Sequence, residues 1–270
     1  MIRLMKYAGA KNDFTPIINE HINQSSKSIY VEPFLGSGAV FFNLEKHFDR
    51  YILNDLDTNV IRIFKSFKEG TYEELQQYIS FVNTTYGDIK RSKESFYLFR
   101  NEFNRLLWKT DTLNEGFGLW LLFNSCINSI ARFGPNGFNS CFGNRSMTKD
   151  FNEIMFQKIN ARLQRAELYN TDFFNLMTNI DLDKALLFLD PPYIKRPVGY
   201  KTISPEFYNN YIEFCKTTNA NILYTDIEHD DLDMTKIVLR EKMQNISPAR
   251  KEEFTVLEQQ IIKEVMYKNY

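Results

Sequence analysis

The apolar residues near the start of the chain follow helical and strand periods in turn. Phe14–Ile22 has the spacing of a short helix, Ser28–Glu32 that of a buried strand, and Gly38–His47 that of a second helix. Tyr51–Leu53 predicts another strand, which Asn54-Asp55 follows directly. A strand, a glycine turn, a helix and a strand that ends in an acid are the opening of a doubly wound sheet.

The middle of the chain has a different pattern. From residue 59 to residue 159 the apolar residues recur mostly at helical spacing, as Val60, Ile63 and Phe64 do. This stretch ends in a loop rich in Gly, Asn and Ser, residues 128–145. We therefore predict a helical insert over residues 59–159, within a sheet domain formed by residues 1–58 and 160–270.

Strand patterns return in the second half of the chain. The clearest is Ala185–Leu189, whose continuous apolar run is typical of a central parallel strand covered on both faces. The other predicted elements are strands at Glu167–Tyr169, Asn221–Tyr224 and Ile261–Tyr267 and a helix at Phe207–Phe214. The predicted fold class is α/β.

Composition limits the classes of protein. Hydrophobic residues make up 43% of the 270 positions, enough for a sizeable core, and no apolar run reaches the roughly 18 residues of a membrane helix. The N-terminus lacks the apolar centre of a signal peptide, so we expect a soluble cytoplasmic protein. Cys126, Cys141 and Cys215 lack zinc-finger spacing and the histidines do not cluster with them, so no structural metal is expected.

The charge balance alone counts mildly against a nucleic-acid binder. The net charge is -1 and the pI is about 6.4, whereas such proteins usually carry a basic footprint. Charge can nevertheless be local: residues 132–149 contain Arg132, Arg145 and Lys149 and no acid.

Asp190-Pro191-Pro192-Tyr193 is the strongest chemical signal, because it follows the central strand directly. Ligands of open α/β sheets gather at the carboxyl ends of strands. Two prolines stiffen the loop and leave their carbonyls as acceptors. A carboxylate, a carbonyl and an aromatic ring suit an amine on an aromatic ring. The plainer alternative is a proline-stiffened strand end with Asp190 as a helix cap.

Two further segments are weaker signals. Glu32-Pro33-Phe34-Leu35-Gly36-Ser37-Gly38 joins a strand to a helix, where glycines let the backbone approach a ligand. It has no full dinucleotide fingerprint and no Walker lysine, which disfavours NAD and ATP. Asp55 is placed to accept from ribose hydroxyls, although it could equally cap a helix. Residues 6–11 read alone as a basic, exposed N-terminus.

Taken in order, these motifs resemble the Dam family of DNA adenine-N6 methyltransferases. Four motifs have the family's order: KYAGAK, EPFLGSGAVFFN, ND at a strand end, and DPPY. Three further segments also resemble the family: FNSCINSIARFGPNGFNSCFGNR and NTDF between ND and DPPY, and EVMYKNY at the end. Each motif is common, whereas their joint order over nearly the whole chain is specific. The resemblance implies a Rossmann-like sheet that uses S-adenosyl-L-methionine and a helical DNA-recognition insert.

The resemblance also implies roles for individual residues. Asp190, Pro191, Pro192 and Tyr193 would receive the target base and form the catalytic set. Asp190 would also lie close to the cofactor. The residues implied in cofactor binding are Tyr7 and Lys11 in the N-terminal segment, Glu32, Phe34, Gly36 and Gly38 on the methionine side, Asp55 at the ribose, and Asp172 and Phe173 at the adenine.

The insert loop is implied to read DNA. Arg132 stands at the position of a guanine-reading arginine, and the other implied contacts are Asn128, Ile130, Phe133, Asn139 and Arg145. The chain departs from the family pattern at Ala10, at Pro135, in FNSCFG, which lacks a proline, and at Tyr224-Thr225-Asp226, where Ser-Asn is common. These departures bear on the target sequence more than on the chemistry.

The expected function is methylation of adenine N6 in duplex DNA at a GATC-like site. We expect a bacterial or phage-encoded monomer or weak dimer, with a cognate restriction endonuclease as a candidate partner and neither metal nor membrane involved. The alternatives are an RNA adenine or cytosine-N4 methyltransferase and a catalytically silent DNA-binding protein of the same fold. A nucleotide-binding oxidoreductase is disfavoured because the dinucleotide fingerprint is missing.

Overall fold

The predicted sheet is present and has seven strands, most of them parallel. The computed structural model describes residues 1–106, 113–143, 151–193, 204–245 and 259–270. The strands of the described chain are Ile29–Glu32 (β1), Arg50–Asn54 (β2), Phe133–Gly134 (β3), Gly137–Phe138 (β4), Ala166–Tyr169 (β5), Ala185–Leu189 (β6), Asn221–Ile227 (β7), Thr235–Asn245 (β8) and Gln259–Lys268 (β9). β3 and β4 form a separate hairpin, and the sheet has the order β5-β2-β1-β6-β7-β9-β8.

The order of the sheet reverses at β1. This strand pairs in parallel with β2 on one side, where Val31 lies opposite Ile52, and with β6 on the other, where Val31 lies opposite Leu187. The chain thus leaves β1 in one direction and returns to its other side. Ligands of open α/β sheets bind outside the carboxyl ends of the strands at such a point. The loops after Glu32 and Leu189 therefore border the candidate site.

Apolar residues cover both faces of the central strands. Along β6, Leu186 and Phe188 belong to one apolar cluster, whereas Leu187 and Leu189 belong to a second cluster on the opposite face. Side chains of a strand alternate between its faces, so a strand buried on both must be apolar throughout. The prediction of a central strand at Ala185–Leu189 is confirmed with the same bounds.

Helices flank the sheet and fill the segment between β2 and β5. The helices of the described chain are Thr15–Gln24 (α1), Ala39–Phe42 (α2), Thr58–Glu69 (α3), Tyr72–Tyr86 (α4), Lys93–Leu106 (α5), Leu113–Ser125 (α6), Glu153–Gln164 (α7), Phe173–Met177 (α8) and Pro205–Thr217 (α9). The Asp57 carboxylate caps α3, and Thr71 with Glu74 forms a capping box on α4. None of the described helices is both long and apolar enough to span a lipid bilayer.

The helix predicted at Gly38–His47 is a single turn, Ala39–Phe42, so that prediction was wrong in length. Asn43 ends the turn, because its side-chain amide exchanges hydrogen bonds with the backbone of Ile2, at 2.8 and 2.9 Å. Its carbonyl, which a continuing helix would use, accepts a bond of 2.8 Å from Asn19 Nδ2. Side-chain bonds to the backbone compete with helix propagation in this way.

The chain between β2 and β5 contains α3 to α7 and the β3–β4 hairpin, in agreement with the helical pattern of the sequence. α3 packs against α6 and α7, and one apolar cluster runs from the sheet into these helices. The division into a sheet domain and an insert over residues 59–159 stays a prediction. Strand β8 was not predicted: Lys236, Arg240 and Lys242 make its sequence a poor strand pattern, and its pairing with β9 decides its structure.

Candidate active site

Asp190 stands directly after β6, at the carboxyl edge of the sheet. Its Oδ1 lies 2.8 Å from Lys11 Nζ and accepts a hydrogen bond of 2.8 Å from Thr225 Oγ1, and its Oδ2 accepts one of 2.9 Å from Lys11. Burial raises the pKa of Asp190 above its ordinary value, and the Lys11 charge opposes this increase. Side chains from the N-terminal segment and from β7 therefore hold the carboxylate in one orientation.

Lys11 is buried rather than part of an exposed basic terminus, since it is only 4% exposed. Besides Asp190, its ammonium donates to the carbonyl of Gly9 at 2.9 Å and lies 3.6 Å from Glu264 Oε1. A buried ammonium needs such partners, because transfer of an unpaired charge from water is costly. The structure thus brings the KYAGAK segment onto the DPPY loop.

The rest of the DPPY segment continues the loop outward from β6. Pro191 is buried, whereas Pro192 and Tyr193 are partly exposed. The Tyr193 hydroxyl donates to Glu264 Oε1 at 2.7 Å, and Lys11 Nζ lies 5.1 Å from the centre of its ring. Burial, followed by the nearby carboxylates, raises the pKa of Tyr193, so its hydroxyl stays a donor.

The turn after β1 requires glycine at two positions. Gly36, with a φ of 49°, and Gly38, with a φ of 65°, both have left-handed backbone. A Cβ on Gly36 would meet the ring of Tyr7 at 3.2 Å, so the N-terminal segment covers this turn closely. Gly36 also donates its N–H to Asp55 Oδ2 at 2.8 Å. The predicted residues Tyr7, Gly36 and Asp55 are therefore neighbours.

Asp55 follows β2 and is partly buried. Its Oδ1 accepts from the N–H of Asp57 at 2.9 Å, and the bond from Gly36 goes to Oδ2. Burial raises the pKa of Asp55 to about 6. Each carboxylate oxygen can accept about two hydrogen bonds, so these backbone bonds orient Asp55 and leave it able to accept from a ligand.

Glu32 points into the protein rather than into solvent, with 2% of its surface exposed. Its Oε2 accepts from the Tyr30 hydroxyl at 2.8 Å and from the N–H of Phe41 at 3.1 Å. Burial raises the pKa of Glu32 to about 8. In this structure Glu32 ties the last residues of β1 to α2, beside the glycine turn.

Asp172 and Phe173 lie where β5 leads into α8. Asp172 caps this helix, because its Oδ1 accepts from the N–H of Asn175 at 3.0 Å. Phe173 is 3% exposed and stacks on Phe34, with ring centres 5.6 Å apart. The loops after β1 and β5 are therefore joined by an aromatic pair, and Asp172 stands at its edge.

Asn54 belongs to the ND motif but was assigned no function of its own from the sequence; in the structure it joins three loops at the carboxyl edge. Its Nδ2 donates to the carbonyls of Pro33 and Thr171, each at 3.0 Å, and its Oδ1 accepts from the N–H of Thr171 at 2.9 Å. The sequence signal that could have indicated this role is the position of Asn54, an amide directly before Asp55 at the end of β2. Thr225 and Glu264 were also missed, because only the fold brings them to Asp190 and Tyr193.

The insert loop forms a short hairpin, β3–β4, which hydrogen bonds hold at its base and along strand β4. Its base closes through Ile127 N–H to the Cys141 carbonyl at 2.9 Å. The side-chain amide of Asn104, on α5, exchanges two hydrogen bonds with the backbone of Phe138, at 2.8 and 2.9 Å. Pro135, a departure from the family pattern, lies exposed at the turn between β3 and β4.

The predicted DNA contacts are spread along this hairpin. Arg132, Asn128 and Asn139 are exposed, whereas Ile130 and Phe133 are partly buried. Asn139 donates its N–H to the Arg132 carbonyl at 2.9 Å, which places these two residues on opposite sides of the hairpin.

Arg145, the remaining predicted contact, lies outside the described residues.

Phe138 lies 6.1 Å from Phe123 between ring centres, and Phe123 lies 6.5 Å from Tyr7. Aromatic contacts therefore connect the hairpin with the glycine turn.

Within the described ranges, no group of His, Cys, Asp and Glu side chains is arranged to hold a metal ion.

The chain matches a family model over residues 7–254, and that family is described as D12 class N6 adenine-specific DNA methyltransferase. The match spans both the DPPY loop and the hairpin. It agrees with the family named from the sequence motifs.

Curated relatives agree with this match at low identity. The chain is 26% identical over 215 residues to "Type II methyltransferase M.MjaIII" of Methanocaldococcus jannaschii, which covers 77% of this chain and 73% of that protein. It is 25% identical over 224 residues to "Type II methyltransferase M.CviBI" of Paramecium bursaria Chlorella virus NC1A, covering 82% and 80%. It is 29% identical over 190 residues to the "DNA adenine methylase" of Escherichia coli K12, covering 70% and 64%.

Proposed function

Because the chain belongs to the D12 class of N6 adenine-specific DNA methyltransferases, we propose that S-adenosyl-L-methionine and a flipped-out adenine bind side by side at the carboxyl ends of β1 and β6. The observation that supports this most directly is the position of Asp190. Its carboxylate lies at the reversal point of the sheet and is oriented by Lys11 and Thr225.

The residues present fit S-adenosyl-L-methionine. A Cβ on Gly36 would meet the ring of Tyr7 and one on Gly38 the rings of Phe64 and Phe42, so glycine at both positions allows a tight turn whose backbone could approach the methionine end. Asp55 is oriented by backbone bonds and can accept from ribose hydroxyls. Asp172 and Phe173 would hold the adenine end. Phe34, which stacks on Phe173, and Glu32, which ties β1 to α2, would lie on the methionine side. When bound, this cofactor supplies a methyl group activated by its sulfonium.

Asp190 and the carbonyl of Pro191 would accept the two N–H groups of the target amine. A carboxylate has about four acceptor sites, and the bonds from Lys11 and Thr225 use only part of this capacity. Accepting both N–H bonds directs the nitrogen lone pair away from the ring and towards the methyl donor. Held in this way, the amine would receive the methyl group that the bound cofactor supplies and would then release one N–H proton to solvent.

Tyr193 would stack on the adenine once it has left the duplex. A base inside the double helix cannot reach a catalytic pocket, so enzymes of this kind flip it out and hold it by stacking and by its polar edge. Tyr193 is partly exposed and anchored at its hydroxyl, which leaves its ring available for a base. The duplex itself would lie against the β3–β4 hairpin, with Arg132 reading a guanine in a GATC-like site.

The relatives support two further proposals. Two of them carry type II methyltransferase names, so we propose that a restriction endonuclease of the same specificity accompanies this protein. The similarity to an Escherichia coli DNA adenine methylase supports the proposal that adenine is the methylated base.

The experiment is transfer of a labelled methyl group from S-adenosyl-L-methionine to unmethylated genomic DNA, followed by mapping of the modified bases. We expect N6-methyladenine at one short motif containing GA, and loss of transfer in the Asp190→Ala variant. Methylcytosine as the product, or equal methylation of RNA, would contradict the assigned substrate. Ultraviolet crosslinking of the cofactor, compared between wild type and Asp55→Ala, tests the cofactor site separately.

A further inference from the structure

Glu264 lies on β9, far in sequence from both site motifs, yet it contacts both. Its Oε1 accepts from the Tyr193 hydroxyl at 2.7 Å and lies 3.6 Å from Lys11 Nζ. We propose that Glu264 is a positioning residue that holds the Tyr193 ring and the Lys11 ammonium in place around Asp190. The proposal rests on the proposed function, in which Tyr193 stacks on the adenine and Asp190 accepts its amine.

The sheet fixes the backbone of Glu264 firmly. In β9 it pairs with Ile227 of β7 on one side and with Arg240 of β8 on the other. Because β9 is antiparallel to β7, this register brings Glu264 to the carboxyl edge of the sheet. A group on a paired strand positions its partner more tightly than a group on a loop.

Tyr193 needs such an anchor because of where it lies. It lies four positions beyond Leu189, the last paired residue of β6, in the loop that follows this strand. A tyrosine ring is set by two side-chain torsions, and a hydrogen bond at the hydroxyl fixes its far end while the ring face stays available. Bonds with an ionised partner are about twice as strong as neutral ones.

Glu264 also changes the surroundings of Lys11. The ammonium lies between two carboxylates, 2.8 Å from Asp190 and 3.6 Å from Glu264, and it also bonds Gly9. Because Glu264 is a second anionic neighbour, the positive charge of Lys11 is shared between two carboxylates and offsets the charge of Asp190 only in part. Asp190 therefore keeps acceptor strength for a substrate amine, and one carboxylate on β9 arranges both groups that flank it.

The test compares Glu264→Ala and Glu264→Gln with the control Glu241→Gln. Glu241 lies on β8, next to the Arg240 that pairs with Glu264, but its side chain is 56% exposed and lies 3.6 Å from Lys263. Glutamine keeps an acceptor for the Tyr193 hydroxyl and loses only the charge. Single-turnover methyl transfer, the KM for cofactor, melting temperature and fluorescence of 2-aminopurine at the target position are measured for each.

We expect Glu264→Ala to lower kcat about tenfold to a hundredfold, as loss of a charge-assisted bond does. The KM for S-adenosyl-L-methionine should change little. Glu264→Gln should recover part of kcat and part of the 2-aminopurine signal, and Glu241→Gln should behave as wild type. In the Tyr193→Phe background, Glu264→Ala should cost much less than alone, since the shared bond is already absent.

Wild-type kcat in Glu264→Ala would overturn the proposal. A double variant whose fold loss of kcat equals the product of the losses in Glu264→Ala and Tyr193→Phe would also overturn it. A loss of cofactor binding in step with melting temperature would show a merely structural role and would also overturn it. If the alanine variant does not fold, the glutamine variant decides: wild-type kcat and fluorescence in it refute the proposal. A wild-type protein that methylates no DNA would instead refute the proposed function.

Discussion

Lys11 Nζ and Asp190 Oδ1 lie 2.8 Å apart, although 179 positions separate the two residues in the sequence. The pair joins the N-terminal segment to the loop after the central strand. Lys11 is 4% exposed and Asp190 20%, so neither charge can be removed without affecting the other.

Asp190→Asn should abolish methyl transfer and also destabilise the protein. The loss of its charge leaves the buried Lys11 with Glu264 as a more distant counter-charge, which we expect to cost about 1–3 kcal/mol. The double variant Lys11→Met, Asp190→Asn should regain most of this stability without regaining activity. Urea unfolding and methyl incorporation measure the two effects, and near-normal turnover in Asp190→Asn would remove Asp190 from the mechanism.

Cofactor affinity should fall as the pH decreases through about 6, the raised pKa of Asp55. Above this pH the carboxylate is charged and accepts from ribose hydroxyls; below it the protonated group loses this charge-assisted acceptor. The dissociation constant should therefore rise by up to about tenfold per pH unit below 6, as for a single titrating group.

Asp55→Asn should raise the dissociation constant at pH 8 about tenfold to a hundredfold, and its pH dependence should be flatter. Asp57→Asn is the matched control, because Asp57 caps α3 and asparagine caps a helix equally well. Calorimetry from pH 5 to 8 makes the comparison, and equal pH dependence in wild type and Asp55→Asn would exclude Asp55 from the cofactor site.

Glu32 should make the stability of the protein decrease with rising pH. Burial raises its pKa from 4.5 to about 8 in the folded chain, so the folded state binds a proton that the unfolded state has lost. This contribution is complete below pH 4.5 and disappears as the pH rises through 8, at up to about 1.4 kcal/mol per pH unit. Glu32→Gln should lack this slope in urea unfolding between pH 5 and 8; a parallel slope in both proteins would refute the assignment.

The strand ends that border the site could be predicted because their signals are local. An uninterrupted apolar run followed by two prolines determines both ends of β6, and the glycines after β1 are required by left-handed backbone. The Gly38–His47 helix was overestimated because its end depends on Asn43 meeting Ile2 and Asn19, which no local period encodes.

The contacts that complete the site depend on strand pairing across the whole chain. Glu264 reaches Tyr193 and Lys11 only because β9 inserts antiparallel between β7 and β8. Thr225 likewise reaches Asp190 because β7 pairs with β6. A sequence motif shows which residues stand at a strand end, but not which neighbouring strand supplies their partners.

Gly137→Ala should loosen the β3–β4 hairpin, proposed to contact DNA, without affecting the cofactor site. Gly137 has a φ of 94°, and a Cβ there would lie 2.6 Å from Oδ1 of Asn104, which holds Phe138. We expect weaker discrimination between DNA sequences at unchanged cofactor affinity. Gly87→Ala is the control, since Gly87 also has a positive φ, of 86°, and its Cβ would lie 2.6 Å from Ser95 Oγ, outside the hairpin. Unchanged preference for DNA sequence in Gly137→Ala would show that the hairpin does not determine this preference.

Arg132 should read a guanine next to the target adenine, and replacement by alanine and by lysine separates this role from a phosphate contact. The side chain is exposed on a hairpin that Ser140 braces, because Ser140 Oγ accepts from the Arg132 N–H at 2.7 Å and donates to the Ile130 carbonyl at 2.7 Å. Arginine pairs bidentately with O6 and N7 of guanine, whereas the lysine ammonium is a point charge without the planar fork of the guanidinium.

If Arg132 reads the base, both Arg132→Ala and Arg132→Lys should lose about 1–3 kcal/mol of discrimination at one position of the site. If it contacts phosphate, Arg132→Lys should resemble wild type, while Arg132→Ala weakens binding to every sequence and reduces the salt dependence. Turnover on duplexes substituted at each position of GATC, at two salt concentrations, distinguishes these outcomes. An equal loss on all duplexes would refute the reading role, and the proposed GATC-like target would lose its main support in this chain.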